Sequence, residues 1–166
     1  MARFALGFPC MDSLLFRPAT EADHALLRPL IIDSFEPITW FKKLDGEFGP
    51  LNGLDWRARW EARLDRIFAS QLILVGEASG VIVAAATGTV DTAAKLGFVD
   101  LLAVHSDHQH KGYGRAMLRG MLDYFRQLGM QHAHLECLTD NARGNALYGS
   151  EGWQVVSSSH HWFTKL

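Results

Sequence analysis

The sequence predicts one mixed α/β domain, in which helices flank a single β-sheet. The chain of 166 residues is long enough to build a real core and suits one domain. Apolar residues recur at helical spacing in some segments and form short runs in others. These segments follow one another in the order β-α-α-β-β-β-α-β-α-β-β. We therefore expect the domain over residues 13–166, and over residues 1–12 an extension that need not be ordered, with Met11 as an alternative start.

The bulk composition narrows the classes of function. A hydrophobic content of 48% and a charged content of 20% are ordinary for a soluble globular protein. The net charge of −2 gives no general attraction to nucleic acid or to an anionic membrane. No apolar run reaches the roughly 20 residues of a membrane-spanning helix. The two cysteines, Cys10 and Cys137, lack metal-site spacing and suit a reducing compartment, so we expect a cytoplasmic protein.

The first half of the chain predicts one strand and two helices. Residues 14–17 form a short strand that Pro18 closes, and Thr20 is the expected N-cap of the first helix. Residues 36–53 contain five glycines and prolines and predict an irregular segment. Asp55 is the expected N-cap of the second helix. The arginines of that helix alternate with acidic residues, which favours a solvated face over a basic binding patch.

The second half predicts mainly strands. Six further strands are expected, at residues 71–75, 81–87, 97–104, 132–137, 153–156 and 161–164. The first two flank a glycine-containing turn and read as a hairpin. A long amphipathic helix is expected around residues 116–125, with Gly129 ending it, and a short helix at residues 141–148.

A glycine-containing turn, residues 109–115, joins the strand at 97–104 to the long helix. Its sequence is Gln-His-Lys-Gly-Tyr-Gly-Arg. The first N–H groups of a helix have no intrahelical partner, and the helix dipole attracts negative charge there. Gly112 and Gly114 carry no Cβ, so a diphosphate can approach the main chain closely. The segment therefore predicts an anion site.

Two known phosphate-binding patterns do not fit this segment. A Walker A loop ends in Gly-Lys-Ser/Thr, whereas Arg115 and Ala116 follow Gly114. A dinucleotide-binding G-x-G-x-x-G pattern would need Gly or Ala at the position of Met117. The alternative to an anion site is a tight strand-to-helix turn that binds no ligand.

The pattern Gln-x-x-Gly-x-Gly between a strand and a helix resembles the acetyl-CoA loop of the GCN5-related N-acetyltransferase (GNAT) superfamily. A second block supports the resemblance: Asn141, then Tyr148 seven residues later, then Gly152-Trp153. The predicted order of elements is also the one that this superfamily uses. The resemblance is strongest over residues 97–153 and only topological before residue 70. It implies a mixed, mostly antiparallel central sheet flanked by helices, with acetyl-CoA as co-substrate and no metal.

The resemblance also implies which residues bind acetyl-CoA. The fourth strand of that superfamily is bulged, and the strand before the loop would likewise offer backbone N–H groups to the thioester carbonyl and the pantetheine arm. The loop would bind the diphosphate through its amides, and the second block would lie along the pantetheine arm. The residues implied are Leu102, Ala103, Val104, Gln109, His110, Lys111, Gly112, Tyr113, Gly114, Arg115, Asn141 and Tyr148.

The implied reaction is direct attack of a neutral amine on the thioester, through a tetrahedral oxyanion. Tyr148 would donate a proton to the departing thiolate, although a packed aromatic side chain is its structural alternative. The group that receives the proton of the amine stays open between Asp100, Glu136 and a chain of waters. The catalytic candidates are therefore Tyr148, Asp100 and Glu136.

A run of histidines invites a metal hypothesis. His105, His108 and His110 lie close together in the chain. A zinc site needs three or four converging ligands, and no Cys/His spacing in the sequence matches a known one. We expect no metal.

The resemblance leaves two functions open. The first is an N-acetyltransferase whose acceptor is a small-molecule amine or a peptide or protein amine. The acceptor would lie over the sheet, walled by the aromatic and acidic segment 40–53 and the first two helices. The second is a non-catalytic domain of the same fold that binds or senses acyl-CoA. A homodimer that pairs the apolar C-terminal strand across an interface is a further hypothesis.

Overall fold

The computed structural model describes residues 14–166, so the predicted extension over residues 1–12 lies outside the described residues. The chain divides into two compact units, of which the first ends at Glu136 and the second spans Cys137–Leu166. No described helix has the length and apolarity that crossing a membrane requires. The two units are described separately below.

The first unit contains five strands and four long helices among its described residues. They are β1 (Leu15–Pro18), α1 (His24–Phe35), α2 (Trp40–Phe48), α3 (Trp56–Ser70), β2 (Leu72–Ala78), β3 (Val81–Asp91), β4 (Leu96–Val104), α4 (Tyr113–Gln127) and β5 (His132–Leu135). Two short 3₁₀ turns, Glu21–Asp23 and Ser106–His108, precede α1 and α4. Thr20 caps the first of these turns and not α1 itself, because α1 begins only at His24.

The sheet has the spatial order β1-β2-β3-β4-β5. The first four strands pair antiparallel, and β5 pairs parallel to β4. A parallel neighbour cannot follow a tight hairpin, and α4 supplies the crossover between β4 and β5. The predicted fold class, a mixed and mostly antiparallel sheet flanked by helices, is confirmed.

Two hydrophobic clusters cover the two faces of the sheet. The α4 face includes Val99, Met117, Met121 and Phe125, all buried. The α1/α3 face includes residues of α1 and α3 that pack on Val75, Ala85, Leu101 and Ala103. The buried residues of the helices on this second face are Leu27, Leu30, Ile31, Ile32, Trp60, Leu64 and Ile67. The sheet therefore has no solvated face over its central strands.

The segment 36–53, predicted to be irregular, contains the helix α2. The Thr39 hydroxyl caps it by accepting from the amide of Phe41 at 3.3 Å, and Leu44 is buried beneath it. Gly46 lowers the helix propensity, but its local cost of about 1 kcal/mol is smaller than the gain from cap and burial. Gly49, with φ of +74°, ends the helix. The prediction was wrong here because tertiary packing outweighed the turn residues.

The second unit contains one helix, α5 (Ala142–Ser150). The closing strands predicted at residues 153–156 and 161–164 are absent from the described structure. Val156 is 94% exposed and Trp162 is 91% exposed. A segment with strand-forming residues becomes a strand only when a neighbour takes up its backbone hydrogen bonds, and neither segment has one.

Candidate functional site

The turn between β4 and α4 places a helix N-terminus directly after the end of a central strand. Gly112 is the N-cap of α4, with φ of +80°, and as a glycine it has no side chain to cap the helix. The first backbone bond of the helix runs from the amide of Ala116 to the carbonyl of Gly112, at 3.1 Å. The amides of the first turn lie ahead of that bond, and a ligand can therefore accept from them.

Two left-handed residues shape this turn. His110 has φ of +63° and Gly112 has φ of +80°. Left-handed backbone costs a non-glycine residue such as His110 about 1 kcal/mol. Turns of this kind point successive N–H groups toward one concave side, an arrangement that favours anions. The strained His110 backbone is therefore consistent with a binding loop.

The side chains of the loop divide into an exposed and a buried set. Lys111 and Arg115 are exposed. Tyr113 is buried in the cluster of the α4 face, with its ring stacked at 6.2 Å from that of His108. The side chain of Gln109 turns back, and its carboxamide nitrogen donates to the backbone carbonyl of Val104 at 3.3 Å. Of these predicted binding residues, Tyr113 can offer a ligand only its backbone.

A β-bulge interrupts β4 at Asp100. Thr87 of β3 pairs with Leu101, but its neighbour Gly88 pairs with Val99, so Asp100 is the extra residue. Side chains alternate along a regular strand, and Val99 and Leu101 would share a face without the bulge. Instead Val99 packs on the α4 face and Leu101 on the α1/α3 face. The bulge therefore reverses the orientation of the last residues of β4.

Gly88 makes the close approach at the bulge possible. An added Cβ at Gly88 would lie 2.2 Å from the backbone carbonyl oxygen of Phe98. No side chain can relieve a contact with backbone, so a residue other than glycine would push β4 away. Gly88 was not among the predicted functional residues, and its only sequence signal was a glycine directly after the strand predicted at residues 81–87.

The bulge is followed by an edge of β4 that β5 leaves open. The β4–β5 ladder ends at the pair Val99–Leu135. On the other side, the amide of His105 donates to Val83 of β3 at 2.9 Å. Backbone groups alternate along a strand, so Leu102 and Val104 direct their N–H groups away from β3. The carbonyl of Val104 accepts from the hydroxyl of Ser34 on α1 at 2.9 Å, a bond outside the sheet ladder.

The three predicted residues of β4 therefore have different roles. Leu102 and Val104 present amides at the open edge, whereas the alternation turns the amide of Ala103 toward β3. A ligand can accept from the amides of Leu102 and Val104, whereas the amide of Ala103 points into the β3–β4 ladder. The sequence could not separate them, since the alternation depends on where the bulge lies.

The two candidate carboxylates of the first unit follow the last β4–β5 pair. The Asp100 carboxylate accepts from the guanidinium of Arg63 at 2.7 Å and from the side-chain carboxamide nitrogen of Gln71 at 2.8 Å. Its side chain is only 14% exposed. Glu136 comes directly after β5 and is exposed. Asp100 is thus held on both oxygens, whereas Glu136 faces solvent.

The helix that was predicted to bear a solvated face is α3. Two of its arginines form ion pairs with acidic residues of other elements. Arg63 binds Asp100 of β4, and Arg59 binds Asp45 of α2. Asp45 also accepts from the amide of Trp56 at 2.5 Å. Asp45, one of the two acidic residues of the segment expected to attract a cationic acceptor, is therefore already ion-paired, and it joins α2 to α3 instead. Sequence spacing gave no sign of these partners.

Within the second unit, Asn141 caps α5. Its side-chain oxygen accepts from the amide of Gly144 at 3.0 Å. An added Cβ at Gly144 would lie 2.6 Å from the side-chain nitrogen of Asn141 and 3.0 Å from the sulfur of Cys137. Gly144 therefore fits beneath the capping side chain, which explains a glycine inside a short helix.

Tyr148 lies on α5 and keeps its proton well above neutral pH. Burial, and then the nearby Cys137, raise the pKa of Tyr148 to about 12. Burial also raises the pKa of the Cys137 thiol, against a hydrogen bond from Asn141 that lowers it. The ring of Trp153 lies 6.2 Å from that of Tyr148. The phenol is therefore a hydrogen-bond donor throughout the physiological range of pH.

Two residues of the histidine run, His105 and His108, contact groups within their own turn. The ring nitrogen Nδ1 of His105 accepts from the amide of Asp107 at 3.3 Å, and the rings of His105 and His108 lie 5.8 Å apart. Across residues 14–166, no group of three or more His, Cys, Asp or Glu side chains could hold a metal ion.

Comparison with known proteins finds a family model that matches most of the chain. A sequence model described as the acetyltransferase (GNAT) family matches residues 27–153. Among curated proteins, no sequence matches the chain.

Solved structures share the fold at low sequence identity. An aminoglycoside acetyltransferase from an uncultured soil metagenomic sample has a TM-score of 0.62 and 16% identity, over 93% of this chain and 97% of that chain. A ribosomal-protein-alanine N-acetyltransferase from Brucella melitensis biovar Abortus has a TM-score of 0.63 and 17% identity, over 91% and 99%. The PaiA N-acetyltransferase from Thermoplasma acidophilum, in complex with coenzyme A, has a TM-score of 0.63 and 16% identity, over 89% and 93%.

Proposed function

This chain belongs to the acetyltransferase (GNAT) family, and we propose that it transfers an acetyl group from acetyl-CoA to a primary amine. One observation carries the proposal: the bulged strand β4 leaves the amides of Leu102 and Val104 at an open edge, and the loop 109–115 follows directly. The first feature suits a thioester with an extended amide-containing arm. The second suits a diphosphate.

Binding follows from these backbone groups. The pantetheine arm carries amides of its own, and it would pair with the open edge of β4 as an added strand does. The diphosphate would accept from the amides of residues 109–115 at the N-terminus of α4. Lys111 and Arg115 are exposed and would add positive charge. The turn requires no side chain for its main contacts, which fits its two left-handed residues.

The chemistry would be direct transfer. The nitrogen of a neutral amine attacks the thioester carbonyl, and the carbonyl oxygen becomes an oxyanion that a backbone N–H of the open edge stabilises. The carbon–sulfur bond then breaks, and the thiolate takes up a proton. We assign that proton to the phenol of Tyr148, which the raised pKa of about 12 keeps protonated.

The amine must lose a proton before or during the attack. Glu136 suits this task better than Asp100, because Glu136 is exposed directly after β5 while both oxygens of Asp100 accept from other side chains. In the same proposal, a chain of water molecules carries the proton from the amine to Glu136.

The acceptor is proposed to be a small-molecule amine or an amine of a peptide or protein. The similar structures bear names of both kinds, an aminoglycoside acetyltransferase and a ribosomal-protein-alanine N-acetyltransferase. Asp45 is bound by Arg59. Negative charge that α2 could offer to a cationic acceptor would therefore have to come from the exposed Glu47. An acceptor with a single cationic group at the reacting end fits this wall.

The last part of the proposal concerns the cellular location and the oligomeric state of the protein. A cytoplasmic location accords with the composition. A homodimer through the C-terminal segment would cover the exposed Val155, Val156 and Trp162. Light scattering at micromolar concentration should report twice the chain mass, and removal of residues 153–166 should halve it. A full-length monomer would contradict the dimer.

Thiol release tests the proposed reaction. The purified chain is mixed with acetyl-CoA and a panel of aminoglycosides, polyamines and short peptides with free N-termini, and free thiol is measured against time. Release that depends on one class of amine would establish the activity. Calorimetric binding of acetyl-CoA without release on any amine would favour the acyl-CoA-binding domain. Absence of binding would refute both functions.

A further inference from the structure

We propose that Asp100 is a positioning residue, which holds the bulge of β4 from α3 and so keeps the amides of Leu102 and Val104 at the open edge. The inference rests on the proposed function for its catalytic meaning, although the clamp itself can be tested without any activity. The clamp consists of Asp100, Arg63 and Gln71.

The two donors of the clamp come from α3 and from the residue that caps its C-terminus. Arg63 lies on α3, and Gln71 is the residue directly after it. The guanidinium of Arg63 also lies 4.9 Å from the ring centre of Trp60, which is 2% exposed. Stacking and burial restrict the arginine, so its contact with Asp100 is made from a fixed position. Asp100 therefore joins the bulge to the packed α1/α3 face.

The extra residue of a bulge is the natural point at which a strand can slip. The chain can absorb one residue more or less there without breaking the rest of the ladder. A slip by one residue would exchange the directions of the following backbone groups and turn the amide of Ala103 to the open edge in place of those of Leu102 and Val104. An anchored side chain at position 100 opposes that slip.

Two buried polar atoms close to the clamp in the sequence or the strand pairing have no hydrogen-bond partner among the described residues. The carboxamide oxygen of Gln71 and the hydroxyl of Thr87, which pairs with Leu101, are buried without a hydrogen-bond partner among residues 14–166. Gln71 therefore gives its donor to Asp100 while its own acceptor is unused. A carboxylate takes donors on both oxygens, and that is what Arg63 and Gln71 supply.

This arrangement separates a positioning role from a role as general base. In Asp100→Asn, the remaining oxygen can still accept from Arg63, and the new amide can donate to the unused oxygen of Gln71 after that side chain rotates. The clamp survives, but a base would be lost. In Asp100→Ala, both are lost. The two variants therefore give different results only if Asp100 acts through the bulge.

The experiment compares Asp100→Asn, Asp100→Ala and Gln71→Leu with Asp123→Ala, an exposed ion-paired aspartate of α4. Amide exchange is followed by NMR for Leu101 and Ala103, whose amides face β3. Steady-state kinetics over a range of pH give kcat and the KM for acetyl-CoA. We expect Asp100→Ala to speed exchange at both amides and to raise this KM, each by about tenfold or more. Asp100→Asn should stay within about threefold of the parent with an unchanged pH profile, and Gln71→Leu should fall between them.

Two results would overturn the proposal. Unchanged exchange at Leu101 and Ala103 in Asp100→Ala would show that the bulge holds without the clamp. Equal loss of kcat in the Asn and Ala variants, with the acidic limb of the pH profile removed, would make Asp100 the base. If the parent protein transfers no acetyl group, the proposed function fails, but the exchange rates still decide the clamp.

Discussion

The close approach at Gly88 permits a quantitative prediction for Gly88→Ala. The added methyl group would lie 2.2 Å from the carbonyl oxygen of Phe98, against a lower limit of 3.0 Å for such contacts, so β4 must move by at least 3.0 − 2.2 = 0.8 Å. It would also lie 2.9 Å from Met121 and 3.0 Å from Phe125, which close the other direction of escape. Overpacking of this kind costs about 2–3 kcal/mol of unfolding free energy.

The assay is thermal unfolding of Gly88→Ala beside Gly46→Ala. At 2–4 °C per kcal/mol, we expect Tm to fall by about 4–12 °C for Gly88→Ala. Gly46 lies inside α2 with nothing within 4 Å of an added Cβ, so Gly46→Ala should raise stability by about 0.5–1 kcal/mol. The shifted bulge should also weaken acetyl-CoA binding in Gly88→Ala alone. A Tm and an affinity equal to those of the parent would refute the geometry assigned to the bulge.

Three other predictions concern single groups. Tyr148→Phe should lower kcat by about a hundredfold and leave acetyl-CoA affinity nearly unchanged, whereas Tyr124→Phe should change neither; unchanged turnover would remove Tyr148 from the acid role. The raised pKa of Tyr148 means that folding favours its protonated form, so stability should fall as pH rises from about 10 toward 12, and Tyr148→Phe should flatten that slope in urea titrations. Thr39→Val should cost about 1–3 kcal/mol by urea unfolding, because it leaves the buried indole N–H of Trp60 without its acceptor at 2.8 Å; a loss below 0.5 kcal/mol would show that this bond contributes little.

Much of the fold could be predicted from local patterns. The strand at 97–104, the helix after the loop, the cap at Asp55 and the left-handed Gly129 after α4 all follow from short-range spacing. Each depends on a few neighbouring residues. The long helix was also predicted, although it begins at Tyr113, three residues before the predicted start at 116. The local signals and the final fold agree over these elements.

The features that the sequence missed depend on distant partners. Asp100 is held by Arg63, 37 residues earlier in the chain, and nothing in the arginine-rich stretch of α3 marks that one residue. The bulge itself is a property of two paired strands. The resemblance to the GNAT superfamily implied a bulged strand, but the place of the bulge at Asp100 follows only from the strand pairing.

The errors have the same physical origin. Residues 153–166 contain strand-forming side chains, but they pair with none of the described strands. Residues 40–48 contain a glycine, but Thr39 and buried Leu44 stabilise a helix. In both cases the packing around the segment decided its structure.

NMR of the backbone amides during titration with coenzyme A tests the central claim most directly. The claim is that the open edge of β4 and the loop 109–115 together form the cofactor site. We predict that the amides of Leu102, Val104 and residues 110–115 shift on binding, while the amide of Ala103 shifts far less because it faces β3. Equal shifts along β4, or binding that leaves the loop amides unmoved, would contradict the account.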